Sequence, residues 1–399
     1  MRIVCTGGGP AGLYFAISAK LRDAGHDITV IERDPPGATY GWGVGYWDNL
    51  LDLLYRNDRE SARKVRAASV LWQEQRVIVG NEQTAYLPGY GFSVGRAALL
   101  DILGRRAMDL GVDVQYDRGA DSLSAFADAD LIVAADGANS RVRQLHGAQF
   151  GARVDVGGNP YIWLGTDKVF DRFVFAFEET SAGWIWFYAY PSNTEISTCV
   201  VECSPETWQA LGFDSLGSED SVRMLEKIFD HVLDSHSLIS QSRGEPARWL
   251  HFTQVSNERW CHDNVVLVGD AAHTTHFTLG SGTSLAIIDA LVLAQSLYEH
   301  EALSDALRDY DQQRRAALRP IQAAARTSMA WFEHVDRYLD RDAVEFAYSL
   351  SGREGPQQPW RYQMHLATQV PALRTAQRVF HSVGRRYLAR RRGESTATP

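Results

Sequence analysis

The chain has 399 residues, a formal net charge of −9 and 45% hydrophobic residues. This length exceeds what one hydrophobic core usually holds, so we expect two domains that can enclose a sizeable ligand. The negative net charge gives no indication of a basic surface that binds nucleic acid, and a small-molecule partner is favoured.

The cysteines and the apolar segments narrow the class of protein. No Cys-x-x-Cys pair occurs, which favours free or structural thiols over a disulfide or zinc framework. The N-terminal apolar run is broken by glycines at once and lacks the features of a signal peptide. No apolar segment reaches the ~18 residues of a membrane span. We therefore expect a cytoplasmic protein with no membrane partner.

The first predicted unit is a strand, a glycine turn and a helix. The strand covers 2–5 and leads into Gly7-Gly8-Gly9-Pro10-Ala11-Gly12, a G-x-G-x-x-G pattern. Such glycines allow a tight turn, close approach of a pyrophosphate and close packing of helix on strand. A second strand over 27–31 ends in Glu32, where a carboxylate can hold a ribose hydroxyl. These features predict a bound dinucleotide but do not separate NAD from FAD.

Two later strands end in an acidic residue beside glycine. Residues 131–135 run into Asp136-Gly137, which alone indicates only a turn before a helix. Residues 265–268 are followed by Gly269-Asp270, and a helix is predicted from about Thr283. Three strand ends are therefore expected to converge on one ligand.

Between these motifs the pattern changes to alternating strands over 161–165, 173–177, 184–190 and 196–202. Alternation is typical of an antiparallel sheet with one face on a cavity. Trp184, Trp186, Tyr188 and Tyr190 share one face of a regular strand. That face is interpreted either as a wall for an aromatic substrate or as ordinary core.

The last hundred residues are predicted to be helical, with Gly352 to Pro359 as a linker. The end is basic, with Arg385, Arg386, Arg390, Arg391 and Arg392. These arginines form either a solvated helix face or a surface for the phosphates of a thioester carrier.

The three motifs occur in the order found in the single-component FAD-dependent aromatic monooxygenases, which the chain resembles. The resemblance narrows to the subgroup containing salicylyl-CoA 5-hydroxylase, aminobenzoyl-CoA monooxygenases and a violacein-pathway tryptophan-derivative hydroxylase. It rests on GWGV at 41–44, NPYIWLGT at 159–166, HFTLGSGTS at 276–284 and WFE at 331–333. The chain departs from many relatives at Phe277, where they have proline, and at Ser284, where they have asparagine.

The resemblance implies an α/β fold in which a Rossmann-like FAD-binding domain, of the p-hydroxybenzoate-hydroxylase type, is interleaved with an antiparallel-sheet substrate domain. Helices complete the chain. The FAD-binding domain is expected over residues 1–70, 92–150 and 250–320, and the substrate domain over 71–91 and 151–249. The C-terminal helical region is expected over 321–399.

The resemblance also implies bound FAD, with NADPH or NADH and O₂ as co-substrates and a flavin C4a-hydroperoxide as oxygen donor. Asp270 would bind the ribityl chain, and the helix N-terminus at Gly280 to Thr283 would face the pyrimidine end of the flavin. The implied cofactor-binding residues are Gly7, Gly9, Pro10, Ala11, Gly12, Glu32, Arg33, Gly43, Val44, Arg96, Asp136, Gly137, Asp270, Gly280, Gly282 and Thr283.

The implied substrate is an electron-rich aromatic: an aminobenzoyl or salicylyl ring carried as a CoA or carrier-protein thioester, or a tryptophan-derived indole. Such reactions belong to aromatic catabolism or natural-product biosynthesis. Its predicted contacts are Trp47, Trp184, Trp186, Tyr188, Tyr190 and Phe277. Candidates for orienting the ring substituent or moving its proton are His273, His276, Tyr46 and Asp48. No metal is expected, because the two histidines lack a third ligand, and the chain is expected to be a monomer or homodimer.

Two alternatives stay open. Trp184-Ile185-Trp186 resembles the W-x-W-x-I-P signature of flavin-dependent halogenases, but Phe187-Tyr188 follows it and a suitable lysine is hard to find. A non-catalytic binding protein with a dinucleotide fold is the alternative of another class. The complete motifs at Asp136-Gly137 and Gly269-Asp270 argue against it.

Overall fold

The computed structural model of the protein describes residues 1–38, 41–80, 83–119, 126–242, 245–355 and 357–394. The strands are β1 (Arg2–Thr6), β2 (Asp27–Ile31), β3 (Gly43–Tyr46), β4 (Ser69–Val79), β5 (Gln83–Gly95), β6 (Asp113–Gln115), β7 (Leu131–Ala134), β8 (Arg153–Thr166), β9 (Phe173–Thr180), β10 (Gly183–Pro191), β11 (Ser197–Cys203), β12 (Leu238–Ile239), β13 (Gln241–Ser242), β14 (Glu245–Pro246), β15 (Leu250–Ser256), β16 (Cys261–His262) and β17 (Val265–Leu267). The helices are α1 (Pro10–Arg22), α2 (Asp48–Asn57), α3 (Arg59–Ala67), α4 (Arg96–Asp109), α5 (Arg141–Leu145), α6 (Gly147–Phe150), α7 (Pro205–Ala210), α8 (Ser218–Ile228), α9 (Asp230–Leu233), α10 (Gly282–Glu299), α11 (Leu303–Glu333), α12 (Ala343–Ser351), α13 (Trp360–Gln369) and α14 (Pro371–Arg392).

The first sheet has the strand order β16-β17-β7-β1-β2-β6. Strand β1 pairs in parallel with β2 and β7, and β7 pairs in parallel with β17. Its strands are short apolar runs because helices cover them, as α1 packs against both α4 and α10. Since parallel strands end at the same edge, the residues that follow β1, β2, β7 and β17 meet there.

The second sheet has nine strands in the order β12-β8-β11-β10-β9-β4-β5-β3, with β15 added beside β8. Strand β10 shows why its faces differ. Trp186 and Tyr188 point to one face and pack with helices α11 and α12, whereas Ile185 and Phe187 point to the other and pack with helices α8 and α9. The period of two expected of a strand therefore separates two cores.

The C-terminal helices lie over the second sheet. Helix α12 contacts β4 and β5, and α13 and α14 follow as a pair that also contacts β5. The loop between α12 and α13 contains the segment predicted as a linker. Within the described ranges, no helix combines the length and the apolar character needed to cross a membrane.

Candidate active site

A cavity of about 2210 Å³ begins at the carboxyl edge of the parallel sheet, passes the second sheet and continues to α13 and α14. Sites for small molecules usually enclose about 300–1,000 Å³. The cavity therefore has room for a dinucleotide and a second ligand at the same time.

The glycine loop after β1 forms the first part of the cavity wall. Gly7 has a φ of +104°, and a Cβ there would lie 2.4 Å from the Ala135 carbonyl oxygen. A Cβ on Gly12 would lie 2.1 Å from the Gly7 carbonyl oxygen, whereas one on Gly9 would meet no atom within 4 Å. The fold itself therefore requires Gly7 and Gly12. Gly9 leaves open space at the positive N-terminal end of α1, where a pyrophosphate fits.

Glu32 follows β2 and is held against this loop. Its Oε2 accepts a hydrogen bond of 2.7 Å from the Gly8 amide, and its Oε1 accepts one of 2.9 Å from the Asp34 amide. Both oxygens keep a second lone pair, and the side chain faces the cavity. Glu32 can therefore accept hydrogen bonds from the hydroxyls of a ribose.

Two acidic residues on the wall have unused hydrogen-bonding capacity. Asp136 accepts amide bonds through Oδ2 at the start of α5, but its buried Oδ1 has no partner among the described residues. Asp270 is surrounded by protein except on its cavity side, and this burial raises the pKa of its carboxyl, against the opposing charges of His273 and Arg96. Ligand hydroxyls would satisfy both carboxyls.

The N-terminus of α10 closes this part of the wall. Gly280, with a φ of +63°, ends a short 3₁₀ turn over Phe277–Leu279, and the 18-residue helix starts at Gly282. Its unpaired amides and positive helix end face the cavity and suit a group that gains negative charge. All the predicted cofactor residues except Gly12 line the cavity, so the residues present fit an FAD molecule.

The second part of the cavity is lined mainly by aromatic rings: Trp47, Tyr161, Trp163, Phe173, Phe175, Tyr188, Tyr190 and Phe277. Tyr161 and Phe277 have ring centroids 4.6 Å apart, and Phe173 stacks on Tyr190 at 5.4 Å. We call this part the aromatic chamber. Its rings can stack on a planar ligand and keep water away from it.

Two of the predicted substrate contacts do not reach the chamber. Trp186 is buried between Phe177 and Phe332, with ring centroids 6.1 Å away in each case. Trp184 packs against the same cluster. The four aromatic residues of β10 share one face of the strand, in agreement with the prediction. Helices α11 and α12, however, cover the part of this face on which the two tryptophans lie. Only Tyr188 and Tyr190 line the cavity.

The two histidine candidates lie behind the cavity wall. His273 Nε2 lies 2.7 Å from Asp289 Oδ2, and its ring stacks on Trp260. His276 is hydrogen-bonded to Thr278 through Nδ1 at 2.9 Å, and burial lowers its pKa to about 3. Both are buried and neither lines the cavity, so their geometry is that of packing residues.

Tyr46 and Asp48 are also placed away from the cavity. The Tyr46 hydroxyl lies 2.5 Å from Ser69 Oγ, and the ring is fully buried. Asp48 accepts hydrogen bonds from the Tyr90 hydroxyl and, at 2.7 Å, from Arg392 Nη2. The structure thus gives Asp48 a part in anchoring α14 and brings none of the four proton-transfer candidates to the wall.

Arg353 also lines the aromatic chamber, although no sequence motif points to it. Its Nη2 donates to the Thr278 carbonyl at 3.0 Å and its Nη1 to the Leu350 carbonyl at 2.9 Å. The guanidinium lies 5.9 Å from the centre of the Phe175 ring, and its buried Nε has no partner among the described residues. No pattern in the sequence marks this arginine, in a loop that contains glycine, as a cavity residue. The alternation around Tyr161 and Trp163, by contrast, could have identified these two as lining the cavity.

A buried carboxyl lies behind Tyr188. Glu202 accepts a hydrogen bond of 2.8 Å from Asn159 Nδ2 and one of 3.3 Å from the Tyr188 hydroxyl. Burial raises the pKa of Glu202 to about 7. The group therefore holds a wall residue in place and titrates near neutral pH.

We expect Glu202→Gln to change how stability depends on pH. A carboxyl whose pKa rises from 4.5 to about 7 on folding binds its proton more tightly in the native state. Stability therefore falls as pH rises through that window, by about 3 kcal/mol for this group. The free energy of unfolding, measured in urea at pH 5 and pH 8, should fall less between these two pH values in the variant than in wild type. An equal loss in both proteins would contradict this assignment.

Comparison with known proteins adds to this geometry. The family described as FAD binding domain matches residues 100–325. A salicyloyl-CoA 5-hydroxylase from a Streptomyces species is 34% identical over 368 residues, which cover 89% of this chain and 70% of that protein. A 3-hydroxy-4-methyl-anthranilyl-(aryl-carrier protein) 5-monooxygenase from Streptosporangium sibiricum is 35% identical over 346 residues, which cover 85% of this chain and 93% of that protein.

A solved structure shares the fold. The crystal structure of 2-methyl-3-hydroxypyridine-5-carboxylic acid oxygenase aligns with a TM-score of 0.65 at 22% identity, over 89% of this chain and 93% of that one. At this identity the likeness concerns the fold alone. Together these comparisons confirm the predicted family resemblance and the predicted fold class.

Proposed function

The chain belongs to the FAD binding domain family, and from this premise we propose that it hydroxylates an electron-rich aromatic acyl group, using FAD, NADPH or NADH, and O₂. The observation that carries the proposal is the continuity of the cavity. The wall that fits a dinucleotide passes without a partition into the aromatic chamber. A ring in the chamber would therefore lie beside the flavin.

When bound, FAD supplies the redox chemistry, which takes a hydride from the nicotinamide and transfers one oxygen atom from O₂ to the ring. The chain would hold this cofactor in several places. The glycine loop and α1 would bind the pyrophosphate, Glu32 the ribose and Asp270 the ribityl chain. The N-terminus of α10 would stabilise negative charge that develops on the reduced ring.

The aromatic chamber would position the substrate ring. Tyr161, Tyr188 and Phe277 offer faces and edges for stacking, and the largely apolar surroundings exclude water from the reacting atoms. A hydroxyl or amino group already on the ring supplies the electrons for attack. The position of the ring, rather than a strong side-chain base, is then the main contribution of the protein.

Arg353 would fix the acyl group of the substrate. Its guanidinium is nearly buried, and its Nη2 also lies 3.5 Å from Glu354 Oε1 in an ion pair. The two carbonyls and Glu354 leave Nε, which has no partner among the described residues, and one N–H of Nη1 for a further acceptor. A carboxylate or thioester carbonyl oxygen is such an acceptor, and a charge-assisted hydrogen bond in this position would set which ring carbon faces the flavin.

The cavity extends past the chamber to α13 and α14, beyond what the cofactor and one ring need. This additional space supports a substrate with a long chain on its acyl group. The names of two relatives include a CoA ester and an aryl-carrier protein, which supports an acyl thioester for this chain as well. A monomer or a homodimer would suffice, because all these residues come from one chain.

The FAD-loaded protein should oxidise NADPH or NADH at least ~10-fold faster with salicylyl or anthranilyl pantetheine thioesters than with the free acids. The longer substrates gain binding energy along the cavity that the reaction can use. Initial rates and mass spectrometry of the products would test this. Equal rates for the acids and the thioesters would contradict the proposal that the substrate is a thioester. A product that forms only when bromide is present would favour the halogenase alternative.

A further inference from the structure

Helix α14 has one edge packed on the protein and one long exposed face. On the packed edge, Arg385 lies over the Tyr90 ring at 5.8 Å, and the buried Arg392 forms ion pairs with Asp48 and Asp52. Arg385 and Arg392 are therefore engaged with the protein itself. The exposed arginines of the basic end are Arg386, Arg390 and Arg391.

The exposed face of α14 is also strongly apolar. Val379, Phe380, Val383 and Tyr387 have exposed fractions of 60%, 76%, 60% and 62%. Burying such side chains in a partner is favourable, and exposed groups of them usually mark an interaction site. We call these four residues, together with the three exposed arginines, the α14 strip.

The α14 strip begins at the far end of the cavity. Phe380 and Leu373 of α14, with Trp360 and Met364 of α13, line the cavity and are also largely exposed. They form an apolar rim between the two helices. From Phe380 to Arg391 the strip continues for about 16 Å along the helix, away from this rim.

Charge indicates the kind of partner. The strip concentrates three exposed arginines on a chain whose net charge is −9, so an acidic surface would be attracted to it. A symmetric contact with a second copy through this helix would bring the same arginines together and is disfavoured. The nucleotide of coenzyme A would use the arginines but would leave the apolar side chains uncovered.

We propose that the α14 strip docks a small acidic protein that carries the aromatic acyl group as a thioester on a flexible arm. The arm enters the cavity between α13 and α14 and brings the ring into the aromatic chamber. This inference rests on the proposed function, which requires a thioester substrate, and it adds the surface that presents it.

The test compares FAD-loaded wild-type protein with Arg386→Glu/Arg390→Glu and with Val383→Glu. The control, Arg319→Glu/Arg326→Glu, makes the same charge change on exposed positions of α11. The probe is a phosphopantetheinylated aryl-carrier domain loaded with salicylate, with salicylyl pantetheine as the short substrate. Binding by calorimetry and NAD(P)H oxidation are measured for each.

Both α14 variants should weaken carrier binding by about 10-fold or more and raise KM for the loaded carrier, with rates for salicylyl pantetheine within about 2-fold of wild type. The control should match wild type. Equal carrier binding in all proteins, no carrier binding by wild type, binding of the strip to anionic vesicles, or a dimer that the α14 variants dissociate would each overturn the inference. Turnover of the short thioester by wild type would still support the proposed function, so the two can fail separately.

Discussion

Gly9→Val is expected to weaken FAD binding by at least ~100-fold, equivalent to about 2.7 kcal/mol, while the fold stays intact. A side chain at this position meets no protein atom within 4 Å and projects into the space at the N-terminus of α1. The valine would occupy the volume that the pyrophosphate needs and separate it from the loop amides. Flavin titration of the apoprotein, followed by fluorescence, measures the change.

Gly217→Val is the matched control for this substitution. Gly217 precedes α8 as Gly9 precedes α1, both have extended backbone, and a Cβ on either meets open space. Only Gly9 lines the cavity. Both apoproteins should have the circular dichroism of wild type, and Gly217→Val should bind FAD normally. Wild-type affinity in Gly9→Val would show that the dinucleotide does not bind at the glycine loop.

Arg353→Gln is expected to lower kcat/KM for an aromatic acyl thioester by about 10- to 100-fold, with FAD affinity unchanged. Losing a hydrogen bond to a charged group costs roughly 1.5–3 kcal/mol, and here the acyl oxygen would lose its partner. Arg353→Lys keeps the charge without the planar fork and should give an intermediate loss. Steady-state kinetics with both variants checks this.

A substrate analogue without an acyl group separates orientation from packing at this position. Phenol or aniline offers no oxygen for the guanidinium, so wild type and Arg353→Gln should oxidise NAD(P)H at similar rates with either. If the variant lost the same factor with phenol as with the thioester, Arg353 would support the loop at Thr278 and not the substrate.

The sequence was most informative where a function depends on residues close together in the chain. Gly7, Gly9 and Glu32 follow strands whose order and spacing were evident, so their meeting at one sheet edge could be predicted. Their contacts with FAD stay a prediction. The boundaries of the two domains also stay a prediction, although strand β3, at residues 43–46, joins the second sheet.

The sequence was least informative where distant segments decide which side chain reaches the cavity. Tyr188 and Trp186 have the same periodicity, and both rings contact Phe332, almost 150 residues away in the chain. Of the two, only Tyr188 lines the cavity. His273 is held by Asp289, on α10, and nothing in the sequence around the histidine indicates this contact. Arg353 enters the chamber from a loop after α12, a long-range contact without any local pattern.

The most direct test of the central claim is the origin of the oxygen atom in the product. The FAD-loaded protein would be incubated under ¹⁸O₂ with NADPH or NADH and salicylyl or anthranilyl pantetheine, and the products analysed by mass spectrometry. The proposed function predicts a hydroxylated ring that contains one ¹⁸O atom. Hydrogen peroxide as the sole product of O₂, with both rings recovered unchanged, would contradict it.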